Sequence, residues 1–436
     1  MTAPADLRVA YTMSRFPKLS ETFVVDEMLA VEAQGIRIEL FPLVREQEEL
    51  EQPDAARLVA RARFQPFVSP SILASVVAWL VEDPLLVART VAEALRGVAG
   101  SKKFTLGLLG ILPKTLHSAR LMRRSGVDHI HAHFAHHPAL SALMIHRLTG
   151  IPFSFTGHGH DIQVDRRMLS EKIAASAFAV AVSEHNRSLM IEACPHLAHK
   201  VTVLHTGVDP VAIAPKAASD WANGRWFSEG TRVLAVGRLE EVKGHRVLLQ
   251  ALAELRSAGE PVQGILVGDG PERRSLLRLR RALGLEGCVQ MPGSMTRPQV
   301  IDLMRSADVV AAPSIPTADG RLEGIPVVLM EAMSVETAVI ASDLPGVREL
   351  VPGAEGVRVP PGDVTALAES LTRLGRDPGL RTRLGQAGRR RIEQRFDTTT
   401  TAEALASRFE ASSARRSSRP TGARRPTRRR PSPPPS

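Results

Sequence analysis

A short segment in the second half of the chain combines two acidic side chains with a helix start. Glu323 stands in a loop that ends in Gly324-Ile325-Pro326, and Glu331 falls within the predicted helix Val327–Met333. Backbone amides at a helix N-terminus and the helix dipole favour an anion. Carboxylates accept hydrogen bonds from hydroxyls, so the combination suits a sugar nucleotide. A carboxylate that stabilises its own helix, with a second on the surface, is the alternative interpretation.

Two cations follow the strand predicted over Arg232–Val236. Gly237-Arg238 ends this strand, and Lys243 comes five residues later, before a helix. Glycine lets the backbone approach a ligand closely, and Arg and Lys neutralise phosphate oxygens. Two solvated cations on a loop are the alternative.

A second glycine-containing turn, Gly268-Asp269-Gly270-Pro271, follows the strand predicted over Gln263–Val267. The turn lacks the third glycine of a dinucleotide fingerprint and the Gly-Lys-Ser/Thr of a P-loop. Taken alone, it indicates a strand-to-helix turn at the carboxyl edge of a sheet, where α/β proteins bind ligands.

Strands and helices alternate along the chain, which predicts an α/β protein with parallel sheets. Strands are predicted at Arg8–Tyr11, Ile36–Leu43, His129–Phe134, Pro152–Thr156, Phe178–Val182 and Val201–Leu204, then at Arg232–Val236, Gln263–Val267, Val289–Met291, Val309–Ala312, Val339–Ala341 and Gly356–Val359. A Gly- and Pro-containing linker, 209–230, divides a first domain, 1–208, from a second, 231–395. A helix at 396–411 is predicted to pack back on the first domain, and 412–436 to form a disordered basic tail.

Together these motifs resemble the family-4 retaining glycosyltransferases of GT-B architecture, over roughly residues 8–410. The matching pieces are Gly237-Arg238-x4-Lys243, Val267-Gly268-Asp269-Gly270-Pro271, Pro313-Ser314 and Glu323-Gly324-Ile325-Pro326-x4-Glu331-Ala332-Met333. The resemblance implies two Rossmann-like parallel-sheet domains that face each other across a cleft. The opening residues 14–23 look like the branch that builds exopolysaccharide repeat units, including colanic-acid-type polymers.

The resemblance also implies roles for individual residues. Arg238 and Lys243 would bind the donor diphosphate, Glu323 the transferred sugar and Glu331 the ribose hydroxyls, while His158 matches the family's cleft histidine. The implied catalytic set is therefore His158, Arg238, Lys243 and Glu323. The implied donor-binding set is Gly237, Gly268, Gly293, Ser294, Gly324, Ile325 and Glu331, and the acceptor-side candidates are Arg15, Glu21, His133 and Asp161.

The family generally needs no metal and no cofactor beyond its nucleotide-diphosphate sugar substrate. Retention is usually explained by front-face attack, in which the leaving phosphate oxygen deprotonates the acceptor, so no protein nucleophile is required. The sequence departs from the family in two places. Arg15-Phe16-Pro17 replaces the paired glycines of the first loop, and Glu336-Thr337-Ala338 stands where Gly-x-Pro is common.

Histidines concentrate in the first half, where 13 of the 14 precede residue 206. His131, His133, His136 and His137 have a spacing that can ligate zinc or copper. Strand alternation places only His131 and His133 on one face, and no cysteine or paired carboxylate accompanies them in the sequence. We therefore predict no metal here and expect His133 to face the cleft.

The net charge of +10 is concentrated at the C-terminus. Residues 412–436 hold eight Arg and no acid, so residues 1–411 sum to only +2. The body is thus almost neutral, and no recognition helix or aromatic-basic pattern supports a specific nucleic-acid site. A nucleic-acid binder driven by the tail is one alternative function, and a GT-B nucleotide-sugar epimerase is another.

The stretch Arg96–Arg124 carries seven cations, no acid and interleaved leucines. Such a segment can lie on an anionic bilayer, and a buried helix with a solvated basic face is the alternative. No signal peptide or membrane-spanning run is apparent, and Cys194 and Cys288 give no disulfide framework. We expect a cytoplasmic enzyme at the inner membrane face, acting on a polyprenyl-linked or other saccharide.

Overall fold

The computed structural model describes residues 7–18, 21–46, 53–226 and 229–417. Its first half contains two parallel sheets, one of six strands and one of two. The strands are β1 (Arg8–Thr12), β2 (Arg15–Phe16), β3 (Arg37–Leu40), β4 (Val44–Arg45), β5 (His129–His133), β6 (Phe153–Gly157), β7 (Phe178–Ala181) and β8 (Val201–Val203). The six-stranded order is β3-β1-β5-β6-β7-β8, and β2 pairs with β4.

The second half contains another six-stranded parallel sheet. Its strands are β9 (Thr231–Val236), β10 (Val262–Val267), β11 (Val289–Gly293), β12 (Val309–Ala312), β13 (Ala338–Ser342) and β14 (Val357–Val359). Their order is β11-β10-β9-β12-β13-β14, so the chain reverses direction beside β9. Ligands of open α/β sheets bind at such a reversal, outside the carboxyl ends of the strands.

Helices connect the strands of both sheets. Those of the first half are α1 (Thr22–Ala33), α2 (Pro53–Arg61), α3 (Pro70–Glu82), α4 (Pro84–Val98), α5 (Lys102–Ser125), α6 (His137–Thr149), α7 (His160–Gln163), α8 (Leu169–Ala175) and α9 (Glu184–Ala193). Those of the second half are α10 (Asp220–Asn223), α11 (His245–Ser257), α12 (Arg273–Ala282), α13 (Arg297–Ser306), α14 (Val327–Ser334), α15 (Pro345–Leu350), α16 (Val364–Arg376), α17 (Pro378–Arg395) and α18 (Thr398–Ser417).

Both sheets are covered on both faces. Strands β5, β6 and β7 of the first sheet and β10, β12 and β13 of the second are buried along their full length. Continuous burial is the property of parallel strands between two helical layers, and it explains the apolar sequences of β7, β10, β12 and β13. The predicted architecture of two parallel α/β sheets is confirmed.

The last helix, α18, returns to the first sheet and packs against α1. Ala402, Leu405 and Phe409 of α18 join the apolar cluster of Val24 and Met28. The helix runs to Ser417, beyond the predicted end at residue 411, and Ser412 is buried. The boundary predicted for the disordered tail is therefore too early, because Ser412 still contacts the first sheet through its hydrogen bond with His129. Residues 418–436 lie outside the described residues.

The segment predicted as a linker packs on the second domain. It contains α10, and Ile213, Ala222 and Trp226 are buried in the same apolar cluster as Leu234 of β9. The Trp226 indole donates a hydrogen bond to the Ser306 hydroxyl, 3.0 Å away.

The basic stretch Arg96–Arg124 is only partly exposed, because most of it forms the core-packed helix α5. Lys114 is buried and donates to the Leu43 carbonyl at 2.8 Å. Arg120 and Arg123 both pair with Glu82 of α3, at 2.6 and 2.7 Å. Folding thus supplies the acid that the linear stretch lacks. Of the seven cations, Arg96, Lys102, Lys103, Arg123 and Arg124 are exposed.

Within the described residues, we find no single helix whose length and hydropathy would allow it to cross a bilayer. The adjacent helices α3 and α4 meet those two criteria only when taken together, and the chain bends by 112° between them.

Candidate active site

Three predicted donor-binding glycines meet at the carboxyl edge of the second sheet. Gly237 follows β9, Gly268 follows β10 and Gly293 ends β11. The Gly268 amide donates to the Gly293 carbonyl at 2.8 Å, and a Cβ on Gly268 would lie 1.9 Å from the Gly237 oxygen. With φ at +139°, this position requires glycine. The three turns therefore form one backbone-lined edge, and Ser294 continues it after Gly293.

Lys243 and Glu323 form an ion pair beside this edge. The Lys243 Nζ lies 2.9 Å from Oε1 and 2.8 Å from Oε2 of Glu323. Gly244 explains the approach: its φ is +64°, and a Cβ there would lie 1.8 Å from the Pro313 oxygen. Since only glycine fits this contact, the loop after β12 comes close to the turn that carries Lys243. A cation for phosphate and a carboxylate for hydroxyls thus stand side by side.

Arg238 lies more open to solvent than Lys243. Its side chain is 55% exposed and pairs with Glu240 at 2.5 Å. An exposed guanidinium held by one carboxylate can exchange that partner for a phosphate at small cost. Glu240 is a neighbour that the sequence reasoning did not consider.

The start of α14 leaves two amides available. Gly324 and Ile325 precede the helix, and their N–H groups donate to no group in the described part of the chain. Pro326 is the N-cap, with an extended ψ of 117°, and the helix begins at Val327 as predicted. The arrangement keeps the expected chemistry, in which free amides and the positive end of the helix dipole face an anion.

Glu331 has a partner that the sequence did not reveal. Its Oε1 accepts from Nε of Arg297 at 2.8 Å, and the same guanidinium reaches Asp26 of α1 at 3.0 Å. Burial raises the pKa of Glu331, against the opposing effect of Arg297. Arg297 and Asp26 were missed because their partners lie in other elements. A weak signal existed for Asp26, which stands among the apolar residues of α1.

On the opposite side of the cleft, His158 follows β6 and is held at several atoms. Its Nε2 lies 3.0 Å from Nδ1 of His133, and its carbonyl accepts from the Asn186 amide at 2.7 Å. Burial and the neighbouring His133 lower the pKa of His158 to about 4, although Asp161 and Glu27 oppose the shift. The imidazole is therefore neutral near pH 7. His133 contacts the candidate histidine directly, from within the buried strand β5.

The remaining acceptor-side candidates lie elsewhere or serve the backbone. The Asp161 carboxylate accepts from the amides of Ala135, His158 and Gly159 at 2.7 to 3.0 Å and is buried, which makes it a structural anchor of the His158 loop. Arg15 pairs with Glu46 at 2.9 Å, and Glu21 pairs with Lys18. Neither Arg15 nor Glu21 contacts His158 within the described ranges.

The histidine cluster divides into two groups. His136 and His137 bond to the carbonyls of Asp165 and Phe104, whereas His131 and His133 face Glu27 of α1. Glu27, His131 and His133 place ligand atoms within 4.8 Å of one another, a geometry that can hold a metal ion. The prediction that no carboxylate accompanies these histidines was wrong, because Glu27 comes from another element. The available signal was its position one turn after the buried Val24.

The two sides of the cleft come close at the loop before α14. A Cβ on Gly324 would lie 3.7 Å from the His158 carbonyl oxygen. The neighbouring Leu322 amide donates to Oε1 of Gln163, in α7, at 3.1 Å. The fold thus brings the predicted donor loop and the predicted cleft histidine together, across some 160 residues of sequence.

Two family models match the chain, one in each half. Residues 20–211 match "Glycosyltransferase Family 4", and residues 221–391 match "Glycosyl transferases group 1". The chain belongs to the family-4 glycosyltransferases. The boundary between the two matches falls inside the segment 209–230.

Relatives and solved structures agree with this membership. WcaL of Escherichia coli, named as a colanic acid biosynthesis glycosyltransferase, is 26% identical over 93% of this chain and its own full length. AmsK of Erwinia amylovora, an amylovoran biosynthesis glycosyltransferase, is 31% identical over 48% of this chain and half of its own length. Anabaena HepE, solved with UDP-glucose, aligns with a TM-score of 0.67 at 19% identity, covering 93% of this glycosyltransferase and all of HepE. The GT-B prediction is confirmed.

Proposed function

We propose that this glycosyltransferase moves a sugar from a nucleotide-diphosphate donor to a saccharide acceptor with retention of configuration. The observation that carries the proposal is the ion pair of Lys243 and Glu323, beside the free amides of Gly324 and Ile325. A diphosphate is bound by cations and amide N–H groups, and a sugar hydroxyl is bound by a group that accepts its hydrogen bond. Lys243, the two amides and Glu323 supply these groups side by side. Binding would replace the internal ion pair by contacts to the two parts of the donor.

The roles follow from the position of each group. Lys243, Arg238 and the two amides stabilise the charge that develops on the leaving diphosphate, which is the electrostatic task of the reaction. Glu323 accepts from hydroxyls of the transferred sugar. Glu331 accepts from the ribose, for which Arg297 must yield one of its contacts.

Retention without a protein nucleophile is part of the proposal. Among the described residues near His158, the Asp161 carboxylate is occupied by three amides, and Glu27 lies behind His133. Neither is placed to attack a sugar carbon. The leaving phosphate oxygen is then the base that deprotonates the acceptor.

We further propose that catalysis needs no metal ion. Lys243 and Arg238 supply the positive charge that other folds obtain from a cation at the diphosphate. The group of Glu27, His131 and His133 lies on the first-domain side, where each ring already has hydrogen-bonding partners.

Donor binding can be tested by calorimetric titration with UDP, GDP, dTDP and their sugar conjugates. We expect one nucleotide series to bind, and Lys243→Ala to weaken that binding by about tenfold or more, since one charge-assisted contact is lost. Binding of no nucleotide would contradict the proposal. Sugar rearrangement without an acceptor would instead identify a nucleotide-sugar epimerase.

The names of WcaL and AmsK support a role in exopolysaccharide biosynthesis, and we propose in addition that the acceptor is lipid-linked. The structure offers an apolar surface for this task in the first domain. Phe67, Leu106 and Leu109 are exposed, and the Phe67 ring lies over α5, 3.8 Å from Nζ of Lys114. Lys102 and Lys103 are exposed at the start of the same helix. Apolar side chains beside cations suit an anionic bilayer.

Flotation with anionic liposomes tests this surface. Leu106→Asp together with Leu109→Asp should abolish flotation, because charges then replace the inserted side chains. Arg390→Asp, at an exposed position of α17, is the control for net charge and should still float. Equal flotation of the double variant and the wild type would remove the surface from the proposal.

A further inference from the structure

A hydrogen-bonded chain of three side chains links α1 to the cleft. Glu27 Oε1 lies 3.1 Å from Nε2 of His133, and Nδ1 of His133 lies 3.0 Å from Nε2 of His158. His133 is fully buried, and its ring stacks on that of His158 at a centroid distance of 5.3 Å. The two rings thus have one defined relative orientation.

The carboxylate at one end fixes where the protons lie. Burial alone would raise the pKa of Glu27, but His133, His131 and His158 lower it to about 2, so the group is an anion near neutral pH. A carboxylate accepts hydrogen bonds and donates none. His133 must therefore carry a proton on Nε2. Where the His133 ring carries only this one proton, its Nδ1 is unprotonated, and His158 must donate to it through Nε2.

The neighbouring side chains do not displace the hydrogen bonds that join Glu27, His133 and His158. Tyr11 O–H donates to the same Oε1 at 3.2 Å, which adds a second donor to the carboxylate. His131 lies 3.8 Å from Oε1 and bonds at closer range to the hydroxyls of Ser154 and Thr156. Nδ1 of His158 has no hydrogen-bond partner among the residues that the structure describes.

We propose that Glu27 and His133 are positioning residues that hold His158 as the Nε2–H tautomer and leave its Nδ1 as a hydrogen-bond acceptor for a hydroxyl in the cleft. The identity of that hydroxyl, on a sugar, rests on the proposed function. The tautomer itself does not, because it follows from the contacts within the protein wherever each ring carries a single proton.

The tautomer is measured directly by NMR on the full-length protein. Histidine ring nitrogens are labelled with ¹⁵N, and two-bond proton–nitrogen correlations at about pH 8, well above the ordinary imidazole pKa, distinguish protonated from unprotonated nitrogens. The His158→Asn variant assigns the signal by its disappearance. We expect His158 to show a protonated Nε2 and an unprotonated Nδ1. A protonated Nδ1 in the wild type would overturn the proposal.

Glu27→Gln tests the link to α1. The amide has the size of the carboxylate but can also donate, so His133 can reverse its tautomer and His158 should then show a second signal with a protonated Nδ1. Tyr11→Phe is the matched control: it removes a contact to the same oxygen and should leave the signal single. One unchanged signal in Glu27→Gln would overturn the proposal. If that variant does not fold, His133→Asn provides the same test. In this variant too, His158 should no longer be held in a single tautomer.

Kinetics separate this proposal from the proposed function. Glu27→Gln should lower kcat for sugar transfer at least about tenfold, as loss of a tautomer-fixing carboxylate does elsewhere, while the KM for the donor stays unchanged. If the tautomers are as expected but no nucleotide sugar serves as a donor for transfer, the proposed function alone is refuted. If sugar transfer is observed but the tautomer of His158 does not change in Glu27→Gln, the positioning role alone is refuted. One zinc ion per protein molecule, bound to Glu27 and His133, would also refute the positioning role. The metal would then occupy the atoms that form these hydrogen bonds.

Discussion

At the residue scale, the proposal for donor binding rests on the side chains of Lys243 and Glu323. Each is the partner of the other, with N–O distances of 2.8 and 2.9 Å. Neither is deeply buried: 27% of the Lys243 side chain and 14% of the Glu323 side chain are exposed. Replacing either one should therefore change the chemistry more than the stability.

We predict that Lys243→Ala and Glu323→Ala each lower kcat about 10²- to 10³-fold, because each removes one preorganised electrostatic contact. Steady-state kinetics with the preferred donor provide the measurement. Lys216→Ala, at an exposed position of the segment 209–230, is the matched control and should retain normal turnover. Turnover near the wild-type value in both site variants would remove them from the donor site.

Some residues of the candidate site could be proposed from the sequence, and others could not. Gly237, Gly268 and Lys243 could be proposed from the sequence because each lies in a turn after a recognisable strand, and parallel strands end at a common edge. Glu27, Asp26 and Arg297 were missed because their roles depend on partners in distant elements. Asp161, proposed for the acceptor side, accepts hydrogen bonds from three backbone amides, and such a carboxylate has the same sequence signature as one that faces a ligand.

At the element scale, α18 ties the end of the chain to the first sheet. Phe409 is fully buried and contacts the rings of Tyr11, His129, His131 and Phe178. The Ser412 hydroxyl lies 2.7 Å from Nδ1 of His129, so the helix also completes the polar contacts of β5. The sequence predicted a helix here that ends at residue 411, but not its last turns.

Phe409→Ala should lower the free energy of unfolding by about 3–5 kcal/mol, since it leaves a cavity beneath α18. Urea denaturation followed by circular dichroism measures the loss. Deletion of residues 418–436 is the comparison and should leave the unfolding free energy unchanged, because it keeps α18 whole. A Phe409→Ala protein as stable as the wild type would contradict the packing described for α18.

Element types and order were largely predictable, because the strands are short apolar runs and the helices begin after capping residues and turns. The sequence predicts helices at Glu184–Ala193 and His245–Ser257 and a strand at Val309–Ala312, and α9, α11 and β12 have these bounds. The observed boundaries of other elements differ from the predicted ones by a few residues. Arg96–Arg124 was less predictable, because the charge of a surface depends on which elements pack beside it. There Glu82 of α3 neutralises two of the cations.

At the scale of the whole molecule, specific polar contacts hold the two domains against each other. The Glu349 carboxylate of α15 accepts from the first amides of α9, those of Glu184 and His185, at 2.9 and 3.1 Å. On another side of the cleft, Arg297 bridges Glu331 and Asp26. These contacts set the distance between His158 and Gly324, and hence the geometry in which a donor and an acceptor would meet. The +10 charge contributes little here, because eight units belong to residues 412–436.

The most direct test of the central proposal is a transfer assay with the wild-type protein and a panel of nucleotide sugars. A saccharide acceptor is supplied, EDTA is present throughout, and NMR gives the anomeric configuration of the product. We predict that one nucleotide sugar is consumed, that its sugar appears on the acceptor, and that the new linkage keeps the configuration of the donor. An inverted linkage, activity lost to EDTA and restored by a metal ion, or no transfer from any donor would contradict this account.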